Sequence, residues 1–470
     1  MYKNKSFSDI GVTFIYIEKG ICMKKNLTIK ETIFVASMLF GMFFGAGNLI
    51  FPVSMGQMAG SNMWLAAAGF LITGVGLPLL GVAALGVSRQ SGLLGVSSRV
   101  GKKYGMFFTC LLYLTIGPFF AIPRCATVAF SVGIEQMLPK SGHTAALAVY
   151  SILFFAAVLF FSLKPGKILV WIGKILNPLF LCFLAILVVR ALVSPMGEIS
   201  KMTPSGAYET GALFTGMLEG YNTMDALAGL AFGIIVVNVI RELGVKEPQA
   251  MAKNTIKAGI FSSVLMAGIY VLITVAGAQS RGVFGIAENG GVALAQIAEY
   301  YFGKAGALIL AATITLACLK TAVGLITSCG ETFEILFPNK ISYRTWAVLF
   351  TLLSLLIANL GLNAILDYSL PVLMFLYPLA VTLILLTLCG NWFDNSKIVY
   401  QCVTGFTMFA ALFDFLNALP KQMQSLLHAE NIAAWAREVL PLSELGFGWL
   451  CPAMIGLVIG LILKRAKNDK

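Results

Sequence analysis

An apolar stretch over residues 32–58 is long enough to cross a lipid bilayer, yet its middle is built to interrupt a helix. Residues 41–52 run Gly41-Met42-Phe43-Phe44-Gly45-Ala46-Gly47-Asn48-Leu49-Ile50-Phe51-Pro52. Glycine in a helix interior costs about 1 kcal/mol relative to alanine, and proline about 3 kcal/mol. A backbone broken inside hydrocarbon frees N–H and C=O groups that neighbouring protein, water or a ligand must satisfy. Such a segment is suited to hold something rather than only to span.

The rest of the chain has the same character. Of 470 residues, 58% are hydrophobic and 11% charged, against roughly 25% charged in soluble domains. We count twelve apolar stretches, each near the ~20 residues a membrane-crossing helix needs: 32–58, 63–88, 104–138, 144–163, 167–193, 211–241, 255–279, 304–330, 342–360, 362–389, 397–419 and 443–463. Two shorter amphipathic pieces intervene, 290–302 and 421–440. The expected fold class is an all-α polytopic membrane protein embedded in the lipid bilayer. With the N-terminus inside, 24 Lys and Arg residues fall on the inner side and 7 on the outer, Arg124 and Lys320 within spans completing the 33. Basic residues favour the cytoplasmic side, so both termini are expected in the cytoplasm of a bacterial cell. The net charge of +12 follows from that bias and needs no nucleic-acid partner.

Residues 1–22 are polar and irregular and lack the apolar core and cleavage site of a signal peptide. Met23-Lys24-Lys25-Asn26 resembles a bacterial start, and Glu18-Lys19-Gly20 would be encoded by a purine-rich stretch like a ribosome-binding site. Met23 is therefore expected to be the initiator.

The sixth stretch carries a second interruption, Met217-Leu218-Glu219-Gly220-Tyr221-Asn222-Thr223-Met224-Asp225. Paired interrupted segments at corresponding positions point to the binding site of a secondary transporter. The two breaks lie five stretches apart, and an odd number of spans per repeat inverts the second copy relative to the first. The expected organisation is a cytoplasmic segment (1–31), a first inverted repeat (32–193), an outer loop (194–210), a second repeat (211–389), two appended spans with the amphipathic segment 421–440 (390–463), and a cytoplasmic tail (464–470).

At the first break, a half-helix ending near Phe44 presents carbonyls, and one starting near Asn48 presents N–H groups. Carbonyls suit a cation or an ammonium; N–H groups suit a carboxylate. Together they match a zwitterionic amino acid, although small residues at 45–47 would also serve as a packing seam between helices. At the second break, Glu219 either meets a substrate amine, a proton or Lys320, or caps the broken ends. Asp225 is placed to N-cap the following half-helix. A charge at mid-bilayer costs roughly 2.5–3.5 kcal/mol on insertion scales, so these groups should face the bundle interior. Lys320, in Leu316-Ala317-Cys318-Leu319-Lys320-Thr321, lies too deep to snorkel easily and would act as a fixed cation or a proton carrier. Arg124 follows Pro118 and Pro123 in the third stretch; the prolines predict a kinked helix lining a cavity, with Arg124 paired to an acid such as Glu219 or serving a gate. Asp367 and Asp414 are read as structural, with gating a second reading for Asp367.

Other chemistry is poorly supported. Nine cysteines form no CxxC pair, and the two histidines, His143 and His428, fall in loop or interfacial segments, so no metal centre, disulfide, cofactor or histidine-based catalysis is expected. No phosphate loop or HExxH motif is present, which argues against ATP drive and against an enzyme. A channel remains a less favoured alternative, since pores are more often built from repeated subunits or re-entrant filters.

From Met23 onward the chain resembles the bacterial branched-chain amino acid:cation symporter family, part of the amino acid–polyamine–organocation superfamily. The motifs that carry the resemblance are Phe43-Phe44-Gly45-Ala46-Gly47-Asn48-Leu49-Ile50-Phe51-Pro52, Gly117-Pro118-Phe119-Phe120-Ala121-Ile122-Pro123-Arg124, and Leu316-Ala317-Cys318-Leu319-Lys320-Thr321. The resemblance implies a leucine-transporter-type five-plus-five inverted repeat and uptake of leucine, isoleucine and valine driven by Na+ or H+. Substrate binding is then expected at Phe44, Gly45, Ala46, Gly47, Asn48, Glu219, Gly220, Tyr221, Asn222 and Thr223, with the amides of Ala46 and Gly47 on the carboxylate. Coupling is expected at Gly41, Phe44, Ala317, Lys320, Thr321 and Glu219, with a candidate sodium position near Gly41, Phe44 and Thr321. Sodium-coupled relatives commonly show paired Thr or Ser where this chain has Lys320-Thr321. An ammonium there would compete with sodium, which leaves proton coupling through Lys320 or a sodium site elsewhere.

Overall fold

The computed structural model describes residues 26–45, 47–88, 90, 92–135, 138–163, 181–338, 340–426 and 428–468. The expected start at Met23, the segment 1–22, Ala46 of the first break and the first part of the fifth apolar stretch lie outside these residues.

Helices account for every apolar stretch within the described residues, and no strand occurs among them. In chain order they are α1 (Ile29–Phe43), α2 (Gly47–Ala59), α3 (Met63–Leu71), α4 (Leu77–Ser88), α5 (Leu93–Ser97), α6 (Lys102–Leu114), α7 (Ala121–Gly133), α8 (His143–Leu163), α9 (Leu181–Val193), α10 (Ala212–Asn222), α11 (Asp225–Glu242), α12 (Pro248–Ser280), α13 (Gly290–Leu336), α14 (Tyr343–Ala358), α15 (Leu362–Leu388), α16 (Lys397–Ala418), α17 (Lys421–Leu426), α18 (Glu430–Val439) and α19 (Leu450–Asn468). Among the described residues, seven helical stretches are long and apolar enough to cross a membrane, and α9 and α14 are shorter apolar helices.

The breaks fall where glycine and proline concentrate. α1 opens with a capping box, in which the Thr28 hydroxyl accepts from Glu31 N and the Glu31 carboxylate accepts from Thr28 N. It ends at Phe43, and the chain becomes extended at Phe44, with φ −72° and ψ 98°. α2 begins at Gly47 and keeps Pro52 inside it, so the glycines make the break and the proline does not. α10 and α11 are separated by Thr223 and Met224, the latter in the left-handed region at φ 63°. In the third stretch a wide π-helical turn at Thr115–Phe119 bends the chain at Gly117, since Pro118 disfavours helical geometry in the residue before it. A second π turn, Ile72–Gly76, joins α3 to α4. α13 is bent at Gly303, φ 62°, which separates the amphipathic piece over 290–302 from the apolar span that follows.

The packing is reciprocal. α2 lies on α12, and α10 lies on α3; α11 crosses α4, α1 crosses α12, and α7 runs against α13. Two seams are closed by glycine. A Cβ on Gly56 would stand 2.1 Å from Thr274 O, and one on Gly277 2.3 Å from Val53 O. Across the α3–α10 seam, a Cβ on Gly69 would stand 1.9 Å from Leu213 O, and one on Gly216 2.0 Å from Ala66 O. At both seams only glycine permits this backbone approach. α16 and α19 pack together beside α15.

Candidate functional site

Both breaks open onto one cavity of about 50 Å3. Its polar lining is Asn48, Arg124, Thr223, Asp225 and Thr321, and its apolar lining includes Met42, Phe43, Ile116, Phe232 and Leu325. Sites for small molecules are commonly lined mostly by apolar groups with a few convergent polar ones.

The first break is held by its own Asn48. The amide oxygen accepts from Gly45 N at 2.9 Å. The amide nitrogen donates to Asp225 Oδ2 at 2.5 Å and to the Tyr270 hydroxyl. Tyr270, on α12, in turn donates to Asp225 Oδ2 at 3.2 Å. Asn48, Asp225 and Tyr270 are all buried, so this triad ties α2, α11 and α12 together away from water. Phe44 stacks between Phe40 and Tyr270, with ring centroids 4.8 and 6.4 Å away.

The second break is held from outside. Arg124 enters from the first turns of α7 and donates from Nη1 to Asn222 O at 2.6 Å and from Nη2 to Thr223 O at 3.5 Å. A cation at the carbonyl end of α10 complements that end's negative dipole. The guanidinium also lies over the Phe51 ring, 5.1 Å from its centroid, and against Gly47, where a Cβ would stand 2.9 Å from Nη2. Arg124 therefore touches both breaks. The kink at Gly117 aims α7 so that Ile116, Ala121, Arg124 and Cys125 line the cavity, as the two prolines predicted.

The sequence-derived residues divide between the cavity and its surroundings. Gly45, Gly47, Asn48, Arg124, Thr223, Asp225 and Thr321 line it together. Glu219 does not: its carboxylate accepts from Asn222 Nδ2 at 3.1 Å and lies near Tyr208, and it forms no ion pair with Arg124 or Lys320. Arg124 turns to backbone carbonyls instead of an acid, which corrects the expected carboxylate pairing. Gly220 is a close-packing position, since a Cβ there would stand 2.0 Å from Thr73 Oγ1. Tyr221 points to α15 and stacks on Tyr377 at 4.0 Å. Asp225 is the first residue of α11 rather than its cap; Met224 occupies the cap position and no side chain caps there. The Asp225 carboxylate is instead committed across the bundle to Asn48 and Tyr270, which corrects the expected N-cap.

At the expected cation position, Thr321 on α13 faces Gly45, with Cγ2 3.6 Å from where a Gly45 Cβ would be, and its hydroxyl donates to Ala317 O at 3.1 Å. Gly41 lies in the last turn of α1. Lys320 is half-buried, lies outside the cavity lining, and forms no ion pair among the described residues. Ala46 lies outside the described residues. Tyr270 and the apolar wall of Met42, Phe43, Ile116, Phe232 and Leu325 carried no local sequence signal that sets them apart from other apolar positions.

The chain has clear relatives among known proteins. The family described as "Branched-chain amino acid transport protein" matches residues 28–467. A protein named branched-chain amino acid permease BrnQ from Lactobacillus delbrueckii subsp. lactis is 52% identical over 448 residues, covering 94% of this chain and all of that one. A protein of the same name from Bacillus subtilis strain 168 is 43% identical over 441 residues, 94% of this chain and 98% of that one. Among solved structures, Mhp1, a nucleobase-cation-symport-1 family transporter, superposes at 15% identity. The TM-score is 0.57 for its closed conformation with bromovinylhydantoin bound (92% of each chain) and 0.61 for its inward-facing conformation (93% of this chain, 91% of that one). The likeness to Mhp1 is one of fold.

Proposed function

This chain belongs to the branched-chain amino acid transport protein family, and from that membership we propose that it carries leucine, isoleucine and valine into the cytoplasm by cation-coupled symport and alternating access. The observation that carries the reading is the cavity where both breaks meet, with Arg124 and Asp225 in its lining opposite an apolar wall. The α2 amides at Gly47 and Asn48, with the adjoining Ala46 and the Arg124 guanidinium, take the substrate carboxylate. The carbonyl end of α1 and the Asp225 carboxylate take its ammonium. Met42, Phe43, Phe232 and Leu325 take the aliphatic side chain. We place Glu219, Gly220, Tyr221 and Asn222 around that pocket as supports of the second break.

The same reading takes the chain as twelve crossings with both termini in the cytoplasm, ten of them forming two inverted repeats of five. The reciprocal packing supports it: exchanging spans one with six and two with seven turns the α2–α12 packing into the α11–α4 packing, and the α1–α12 packing into the α10–α3 packing. The coupling cation either occupies the position framed by Gly41, Phe44, Ala317 and Thr321 or is replaced there by the Lys320 ammonium.

Leucine uptake by purified protein in liposomes, with sodium and proton gradients imposed separately, tests both statements. Saturable uptake that follows at least one gradient is expected; uptake indifferent to both would overturn symport. In Lys320→Thr, checked for intact folding, a shift of dependence from protons to sodium supports the lysine's role. Wild-type uptake driven by sodium alone and unmoved by a proton gradient removes it.

A further inference from the structure

Outside the transport cavity, the largest departure from ordinary membrane chemistry is Asp414 on α16. It is 2% exposed, yet neither carboxylate oxygen makes a hydrogen bond to any described residue. No cationic side chain among the described residues pairs with it. A buried charge without a partner is strongly disfavoured, so such groups take up a proton, pair or bind cations.

Its surroundings are oxygen-rich. Asn417, one turn on, has a buried Oδ1 that is also without a partner, while its Nδ2 donates to Ser443 Oγ at 3.4 Å. The turn before α19 comes close on the other side: a Cβ on Gly448 would stand 2.9 Å from Asp414 Oδ1 and 3.3 Å from Ser443 Cβ. The Trp449 backbone N–H faces the carboxylate without closing a hydrogen bond. The Trp449 indole N–H is likewise buried and unpartnered. Gln424 of α17 donates to the carbonyls of Leu416, Asn417 and Leu419 at 3.1, 3.0 and 3.0 Å. Tyr221 of α10 lies near the carboxylate, its ring 6.4 Å from Phe447 and stacked on Tyr377.

We propose that Asp414, Asn417 and Ser443 form a binding site for a monovalent alkali cation, sodium being the probe. Hard oxygen donors select such ions over soft metals. The charge count selects a monovalent one: a single carboxylate contributes, and no cluster of three His, Cys, Asp or Glu occurs among the described residues. The site is distinct from the position near Thr321, and it joins the appended helices α16 and α19 to the second break through Tyr221.

Trp449 supplies a local readout that does not involve transport. Sodium titration of tryptophan fluorescence in detergent, with N-methylglucamine holding ionic strength, should give a saturable change in the wild type that is lost in Trp449→Phe. Asp414→Asn should abolish that change, and Ser443→Ala should raise its midpoint roughly threefold or more while leaving a monodisperse protein. A response in Asp414→Asn with an unaltered midpoint overturns the site. An unaltered midpoint in Ser443→Ala does so as well, should Asp414→Asn fail to fold. A wild-type response reproduced by acidification without sodium overturns it in favour of a bound proton. Leucine uptake, measured in parallel, stands or fails separately.

Discussion

The two broken helices solve one problem in opposite ways. The first is closed by a side chain from its own chain segment, Asn48, which folds back on Gly45 and reaches Asp225 and Tyr270. The second is closed by a foreign charge, Arg124, laid across the carbonyls of Asn222 and Thr223. The second break is therefore charge-complemented on both sides, with a guanidinium at the end of α10 and an aspartate opening α11. At the first break, no charged residue lies within α1's last turn or α2's first. The helix dipoles with no charged residue of their own segment beside them are those of the first break.

The sharpest way to break this comparison is Arg124→Ala. Hydrogen bonds to charged groups contribute about 1.5–3 kcal/mol each, so loss of this cap should lower leucine uptake about a hundredfold or more and reduce the thermal midpoint in detergent. Arg124→Lys should recover only part, because an ammonium lacks the planar fork. Full uptake by the alanine variant would sink the capping role. Asn48→Ala comes next. It strips donors from two buried oxygens, at a cost of about 2 kcal/mol, and should cut uptake roughly tenfold or more; a thermal midpoint equal to wild type would contradict it. The smallest contrast lies two residues apart. Gly47→Ala pushes a methyl into the Arg124 guanidinium and should cost a few-fold in uptake, whereas Gly45→Ala meets Thr321 at ordinary contact distance, 3.6 Å, and should be nearly silent. Equal effects at both glycines would mean that Arg124 does not bear on the first break.

Much of this was legible in the sequence because it rests on backbone propensity. Gly45-Ala46-Gly47 and the polar run at Glu219–Asp225 mark the interruptions, and Gly117-Pro118 marks the bend that aims Arg124. What the sequence does not display is the destination of a side chain. Arg124 was expected to seek a carboxylate, but its acceptors are main-chain carbonyls, which every residue has. Asp225 was expected to serve its own helix, and instead serves residues 177 and 45 positions away. Glu219 has the chemistry of a site residue but sits on the face of α10 that turns toward Tyr208 and Asn222.

The glycine seams carry a mechanical consequence. Where backbone meets backbone with no side chain between, two helices cannot slide or rotate past one another without collision, so α2 travels with α12 and α10 with α3 as rigid levers. Flexing is then confined to joints where the hydrogen-bond ladder is already irregular, the π turns at Ile72–Gly76 and Thr115–Phe119 and the left-handed link at Met224. A lesion at a seam would jam the machine, while a lesion at a joint would change its tempo.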